Sequence, residues 1–170
     1  MYDLMRKLPI GIQTFEDIRR KNYLYVDKTA LVWRMANMGK PYFLSRPRRF
    51  GKSLLLSTFE SYFLGKKELF EGLAIEKMET EWKEYPVLHI DLNAEKYDKP
   101  EKLNEILSNH LTQWELKYGK GIDERTLSSR FGGVIRRACE QTGQQVVVLV
   151  DEYDKPLLQA INNLELLDDY

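Results

Sequence analysis

Apolar residues along this chain recur at helical steps in some stretches and run together without alternation in others. Thr14-Phe15-Glu16-Asp17 predicts a helix start: the Thr14 hydroxyl can accept the Asp17 amide, and the Asp17 carboxylate lies near the positive helix end. A short helix to about Lys21 follows, and aromatic, β-branched Tyr23-Leu24-Tyr25-Val26 predicts extended chain. Asp27 is placed to cap a helix through Ala30, Leu31, Met35 and Met38, ended by Gly39. Tyr42-Phe43-Leu44 predicts a compact buried strand. From Lys52 to Leu64, residues Leu55, Leu56, Phe59, Tyr62 and Phe63 share one helical face, closed by Gly65.

Further along, Val87-Leu88-His89-Ile90-Asp91-Leu92 follows Pro86 and predicts a strand, since proline is tolerated before a strand but not inside a central one. Leu103, Ile106, Leu107, His110, Leu111 and Trp114 mark one amphipathic helix. Leu127, Phe131, Val134, Ile135, Ala138 and Cys139 mark another, ended by Gly143, with Cys139 as a small apolar residue of the core-facing stripe. Val146-Val147-Val148-Leu149-Val150 is the most apolar run in the chain and is followed at once by Asp151-Glu152. Such an unalternated run is what a parallel strand buried on both faces requires. Asp154-Lys155-Pro156 starts a helix, with proline where its missing amide costs nothing.

Strands separated by helical segments predict an α/β fold with a mostly parallel sheet, right-handed crossovers and helices on both faces. Ligands in that architecture sit beyond the carboxyl ends of the strands. The loop after Leu44 and the Asp151-Glu152 pair both emerge at such an end.

Composition narrows the function classes. The 170 residues are 43% hydrophobic and 12% aromatic, ordinary for a globular chain. Lysine plus arginine number 26 against 26 aspartates and glutamates, so no global field draws the chain to nucleic acid or an anionic membrane. A single cysteine, Cys139, excludes an intrachain disulfide and a thiolate zinc cluster. No apolar run approaches the roughly 18 residues that span a bilayer, and the expectation is a soluble, cytoplasmic chain.

The stretch "FLSRPRRFGKSLLLSTF", residues 43–59, carries candidate chemistry. A phosphate-binding loop needs inward-turned amides, a cation for the outer phosphates and a hydroxyl for Mg²⁺. Gly51 lets the main chain approach phosphate, Lys52 can reach the β- and γ-phosphates, and Ser53 can ligate the metal at the helix's positive end. The pattern G-x-x-x-x-G-K-[ST] asks for glycine at position 46, which is Arg46. After the apolar strand, Asp151 can hold Mg²⁺ through water and Glu152 can polarise the water that attacks the γ-phosphate.

The runs "YFLSRPRRFGKSLLLSTFESYF", "NYLYVDKTALV", "VVVLVDEYDKPL" and "GIQTFEDIRRKNYLYVDKT" resemble the bacterial AAA-ATPase-like family over about residues 9 to 160. In that family Arg-Pro-Arg-Arg-Phe-Gly-Lys-Ser is itself a form of the P-loop, so Arg46 departs from the general pattern but not from the family's. The resemblance implies a three-layer P-loop NTPase core binding ATP with Mg²⁺. Arg46, Pro47, Arg48, Arg49, Phe50, Gly51, Lys52, Ser53 and Leu54 form its loop, Ser53 and Asp151 hold the metal, and Lys52 and Glu152 serve catalysis. Family members often carry a PD-(D/E)XK nuclease-like domain after the ATPase; none is visible in these residues.

Several alternatives stay open. Each arginine of the loop either grips phosphate or is solvated and paired with Asp91, Asp151 or Glu152. Asp91 closes its strand either as a site residue or as a turn residue, Asp27-Lys28-Thr29 is either a ligand neighbour or a cap, and His89 and His110 are structural. Residues 1–40 form an N-terminal helical and extended segment and 41–170 the ATPase core, cut after the Walker B strand. On that reading the chain is a fragment, or a partner pairs with an exposed sheet edge by self-association. The functional expectation is ATP binding with hydrolysis in the complete protein; the alternative is a nucleotide-binding scaffold that turns nothing over. Direct nucleic-acid binding finds no support in the balanced charge.

Overall fold

A computed structural model of the chain describes residues 6–45, 50–93, 96–99 and 101–160. The chain divides into two compact units, Met1–Glu84 and Tyr85–Tyr170. It is a mixed helix and strand protein whose described sheet is a small, open, parallel pair.

The first unit holds α1 (Phe15–Arg20), α2 (Thr29–Asn37), α3 (Lys52–Phe63) and 3₁₀ turns at Lys67–Phe70 and Ala74–Lys77. Its core gathers Phe15, Val32, Tyr62, Leu69, Phe70 and Ile75, with Leu54, Leu55, Phe59 and Trp82 packed against them. The Phe15 and Phe70 rings lie 4.9 Å apart and those of Phe70 and Trp82 5.2 Å apart. Such aromatic pairs add to area burial. Buried Thr58 escapes a reading based on apolar periodicity, yet it is tolerated inside because its hydroxyl donates to the Leu54 carbonyl at 2.8 Å.

Polar side chains stitch this unit. Asp27 Oδ1 accepts from the Thr29 amide at 2.8 Å and hydroxyl at 2.7 Å, and its Oδ2 accepts from the Ala74 amide at 2.7 Å. The Thr29 oxygen in turn accepts from the Ile75 amide at 3.1 Å. Burial opposes the charge on Asp27, but these donors outweigh it and hold the carboxyl below the usual carboxylate range. Asp27 and Thr29 are therefore bound into the fold, but Asp27 is not the N-cap expected of it: Lys28 takes that position without a side-chain capping bond, and Asp27 holds Thr29 from one residue further back, in an Asx turn. Arg19 reaches the Leu69 carbonyl at 2.7 Å and the Glu71 carbonyl at 2.5 Å.

Two further expectations need correction here. Thr14 is the N-cap of α1, but its hydroxyl makes no capping bond; Ser57 Oγ in α3 instead accepts the first amide, Phe15 N, at 2.9 Å. Residues 42–44 form no strand, and Tyr42 and Phe43 are 47% and 71% exposed. Three apolar residues have no readable period, and strand formation rests on pairing supplied by tertiary context.

The second unit runs β1 (Val87–Asp91), α4 (Glu101–Tyr118), α5 (Leu127–Thr142), β2 (Val147–Asp151) and α6 (Lys155–Ala160). The strands are parallel and in register from Val87 opposite Val147 to Asp91 opposite Asp151. Leu88, Tyr118, Val134 and Ala138 form one cluster and Leu92, Tyr97 and Ile106 another. Burial of β2 on both faces is not found: Leu149 and Asp151 are buried, whereas Val148 and Val150 are 41% and 39% exposed. The described pair gives β2 a single ladder neighbour, so half of its apolar run stays open. Cys139 is exposed, because it lies at the margin of the stripe that Val134 and Ala138 bury.

Contacts between α4 and α5 progress in the same sequence direction. Arg130, early in α5, grips Glu115 through both carboxylate oxygens at 2.7 and 2.8 Å and reaches Ser108 and Thr112, while Gln141, late in α5, reaches the Tyr118 carbonyl. The connection between the helices must therefore return along α5. It is held there by Glu124, whose carboxylate takes both arms of Arg137 at 2.5 and 2.9 Å and the Gly121 amide at 3.1 Å. The Arg137 guanidinium holds the Glu124 carboxyl down at about 2, against an ordinary 4.5. A Cβ on Gly133 would stand 1.8 Å from Glu124 Oε1; one on Gly132 would meet nothing within 4 Å.

Two stability predictions result. Gly133→Ala should destabilise by about 1–3 kcal/mol, because the carboxylate can move aside only by leaving Arg137, and Gly132→Ala should stabilise by about 0.5–1 kcal/mol; denaturant unfolding of both variants compares them. Glu124 has a depressed folded-state pKa, so its contribution is present above about 4.5 and lost as pH falls from 4.5 towards about 2. The stability gap between wild type and Glu124→Gln should accordingly hold from neutral pH down to about 4.5 and close below it, measured by urea midpoints across pH.

Candidate functional site

In the first unit the candidate chemistry sits where coil turns into α3. Gly51 is the N-cap of this twelve-residue helix and takes φ 76°, ψ 25°, a left-handed conformation that glycine adopts freely. The first helical bond runs from the Leu55 amide to the Gly51 carbonyl at 3.0 Å. The amides of Lys52, Ser53 and Leu54 therefore stand ahead of the ladder at the positive helix end, the arrangement that binds anions. Lys52 and Ser53 are half-buried in the first turn. Leu54 is packed against the core and anchors that turn, while Phe50 is 64% exposed. Arg46, Pro47, Arg48 and Arg49 lie outside the described residues.

In the second unit the candidate residues sit beyond the carboxyl ends of the two parallel strands. Asp151 is the last residue of β2 and is buried; its Oδ1 accepts the Glu152 amide at 2.9 Å. Glu152 is half-buried and has φ 53°. A glutamate in the left-handed region is uncommon, and such strain collects at functional sites. Asp91, its register neighbour on β1, is exposed and accepts the Asn93 amide on Oδ1 at 2.8 Å, the bond of a turn residue.

Sequence reasoning missed what surrounds this strand edge. Lys155 donates to the Asn93 carbonyl and, at 3.1 Å, to Asn93 Oδ1; Gln159 Oε1 accepts the Tyr97 amide at 2.8 Å. No periodic pattern announces partners about sixty positions away, and neutral acceptors leave no charge signal. His110 stacks on Trp114, ring centroids 5.7 Å apart. A cavity of about 210 Å³ among Ile90, Leu107, His110, Trp114, Ser128 and Phe131 is lined mostly by apolar surface.

Among the described residues no three His, Cys, Asp or Glu side chains cluster as a metal cage. Ser53 in the first unit and Asp151 in the second each carry the kind of hard oxygen that Mg²⁺ takes as a ligand, and the left-handed Gly51 before amides that precede the helical ladder fits phosphate. No helix among the described residues is long and apolar enough to cross a membrane.

A family model described as a predicted AAA-ATPase, AAA-ATPase-like, matches residues 9–170. The chain is also similar to a protein of Azotobacter chroococcum mcd 1 described as an uncharacterized protein in the vnfD 5' region, with 43% identity over 162 residues. That match covers 95% of this chain and 31% of the relative's length. No solved structure matches the chain. The glycine-led helix start with its lysine and serine, and the acidic end of the apolar strand, are thus features of a chain that belongs to the AAA-ATPase-like family.

Proposed function

We propose that this chain binds ATP with Mg²⁺ as part of a P-loop NTPase core and that the complete protein hydrolyses it. The observation that carries the reading is the left-handed Gly51 directly ahead of Lys52 and Ser53 in the first turn of α3, in a chain of the AAA-ATPase-like family. The α3 amides and the Lys52 ammonium take the phosphates; Arg46, Pro47, Arg48, Arg49 and Phe50 belong to the same loop in this proposal, and its arginines can add bidentate grips.

Ser53 and Asp151 would hold the metal in this proposal, and the metal would supply positive charge to the outer phosphates. Glu152, immediately after Asp151, orients and deprotonates the attacking water as general base. The left-handed Glu152 supports this role, since a strained side-chain carrier persists where its direction matters.

Nucleotide-dependent stabilisation and turnover test the reading. ATP with Mg²⁺ at a hundredfold excess over its dissociation constant should add about 2.7 kcal/mol to stability. Lys52→Ala should remove a charge-assisted contact of about 1.5–3 kcal/mol, weakening binding roughly 10- to 150-fold in calorimetric titration. Glu152→Gln should keep binding and lose turnover. Unchanged affinity in Lys52→Ala would refute the site, and tight binding without turnover in the wild-type complete protein would make it a nucleotide-binding scaffold.

A further inference from the structure

The turn that carries Asp151 and Glu152 is tied to the turn that follows β1, and one side chain makes the tie. Lys155, the first residue of α6, stands among acidic neighbours in sequence, Asp151, Glu152 and Asp154. A lysine in the first turn is disfavoured by the helix dipole, so helix formation does not account for it. Its ammonium is committed elsewhere: it donates to both the main-chain carbonyl and the side-chain Oδ1 of Asn93. Asn93 is fixed in turn, because its amide donates to Asp91 Oδ1 at 2.8 Å. One helical turn along α6, Gln159 accepts the Tyr97 amide at 2.8 Å, and the Tyr97 hydroxyl donates to the Leu92 carbonyl at 2.8 Å. The Leu92 amide reaches back to the Asp151 carbonyl at 3.2 Å. One face of α6 thus holds the segment after β1 at two points.

The other end of the tie is the strained residue. The Lys155 amide donates to the Glu152 carbonyl at 2.9 Å, and the Glu152 amide donates to Asp151 Oδ1 at 2.9 Å. Between those two bonds Glu152 is held at φ 53°. A non-glycine residue stays in that region only where its surroundings over-determine it. Lys155 supplies the restraint twice, through its main chain on Glu152 and through its ammonium on Asn93.

We propose that Lys155 is a positioning residue: by chelating Asn93 it locks the Asp151-Glu152 turn to the end of β1 and so sets the direction in which both carboxylates face the bound Mg²⁺ and the attacking water. The proposal rests on the ATP reading for its consequence and on the Lys155–Asn93 contact for its geometry. Loss of the ammonium loosens both turns together, and the metal-dependent part of nucleotide binding suffers while the lysine-dependent part at α3 does not. Residues that orient a metal's ligands typically carry 10- to 100-fold in metal affinity.

The test compares wild type, Lys155→Met and Lys155→Arg in the full chain, with unchanged far-ultraviolet dichroism as the folding control. Amide hydrogen exchange followed by mass spectrometry should rise in Lys155→Met at residues 91–93 and 151–155 together. ATP affinity, measured by calorimetry with Mg²⁺ and again in chelator, should lose about tenfold or more of its Mg²⁺-dependent gain in Lys155→Met and be unchanged in chelator. Lys155→Arg, whose guanidinium can reach the same two oxygens, should restore both readouts. Unchanged exchange in Lys155→Met, or an arginine variant as impaired as the methionine one, overturns the positioning role. If wild type gains no ATP affinity from Mg²⁺, the assignment of Asp151 fails and the effect on metal binding is overturned with it; if exchange nonetheless rises at both turns, the lock alone survives as a structural element.

Discussion

Main-chain polar groups that no helix or ladder satisfies must find partners elsewhere, and that requirement organises this protein. The described sheet has only two strands, so most connections run outside regular structure. Long-range side chains answer the need. In the first unit Asp27 and Thr29 take up the Ala74 and Ile75 amides, Arg19 takes up the Leu69 and Glu71 carbonyls, and Ser57 takes up the Phe15 amide. Each bond crosses about forty to fifty positions of sequence, and each fixes a loop that apolar packing alone would leave free to slide. The charge on Asp27 is retained because its donors outweigh its burial.

The second unit uses the same means at two places with different consequences. Around Glu124, Arg137 and Gly133 the side chains hold a connection that returns along α5, a matter of stability. Around Lys155, Asn93 and Tyr97 they hold the turns at the carboxyl edge of the sheet, where parallel architectures place ligands. The first unit leaves the opposite kind of feature at α3: the amides of Lys52, Ser53 and Leu54 precede the helical ladder. Orphan donors at a helix start suit an anion as partner, which is why phosphate is the chemistry assigned to that end.

Much of the architecture was legible because it follows from local period. The helices around Leu55, Leu111 and Val134 declare themselves at steps of three and four, and left-handed Gly51 and Gly143 bound them as their sequence positions imply. The paired parallel strands were legible from β-branched runs. What was not legible depends on tertiary partners: residues 42–44 are apolar yet form no strand, Val148 and Val150 are apolar yet exposed, and Thr58 is polar yet buried. Of the candidate site, the glycine, lysine and serine and the terminal Asp-Glu pair are visible in the sequence as candidates, whereas the left-handed state of Glu152 and the Lys155–Asn93 chelate exist only once the chain has folded.

The proposed nucleotide site stands or falls with phosphate binding at the start of α3. A crystal structure of the chain with Mg²⁺ and a non-hydrolysable ATP analogue tests it most directly. The β- and γ-phosphates should lie against the amides following Gly51, with Lys52 Nζ on a terminal phosphate oxygen. An analogue bound with its phosphates away from α3, or no binding at millimolar nucleotide, would contradict it.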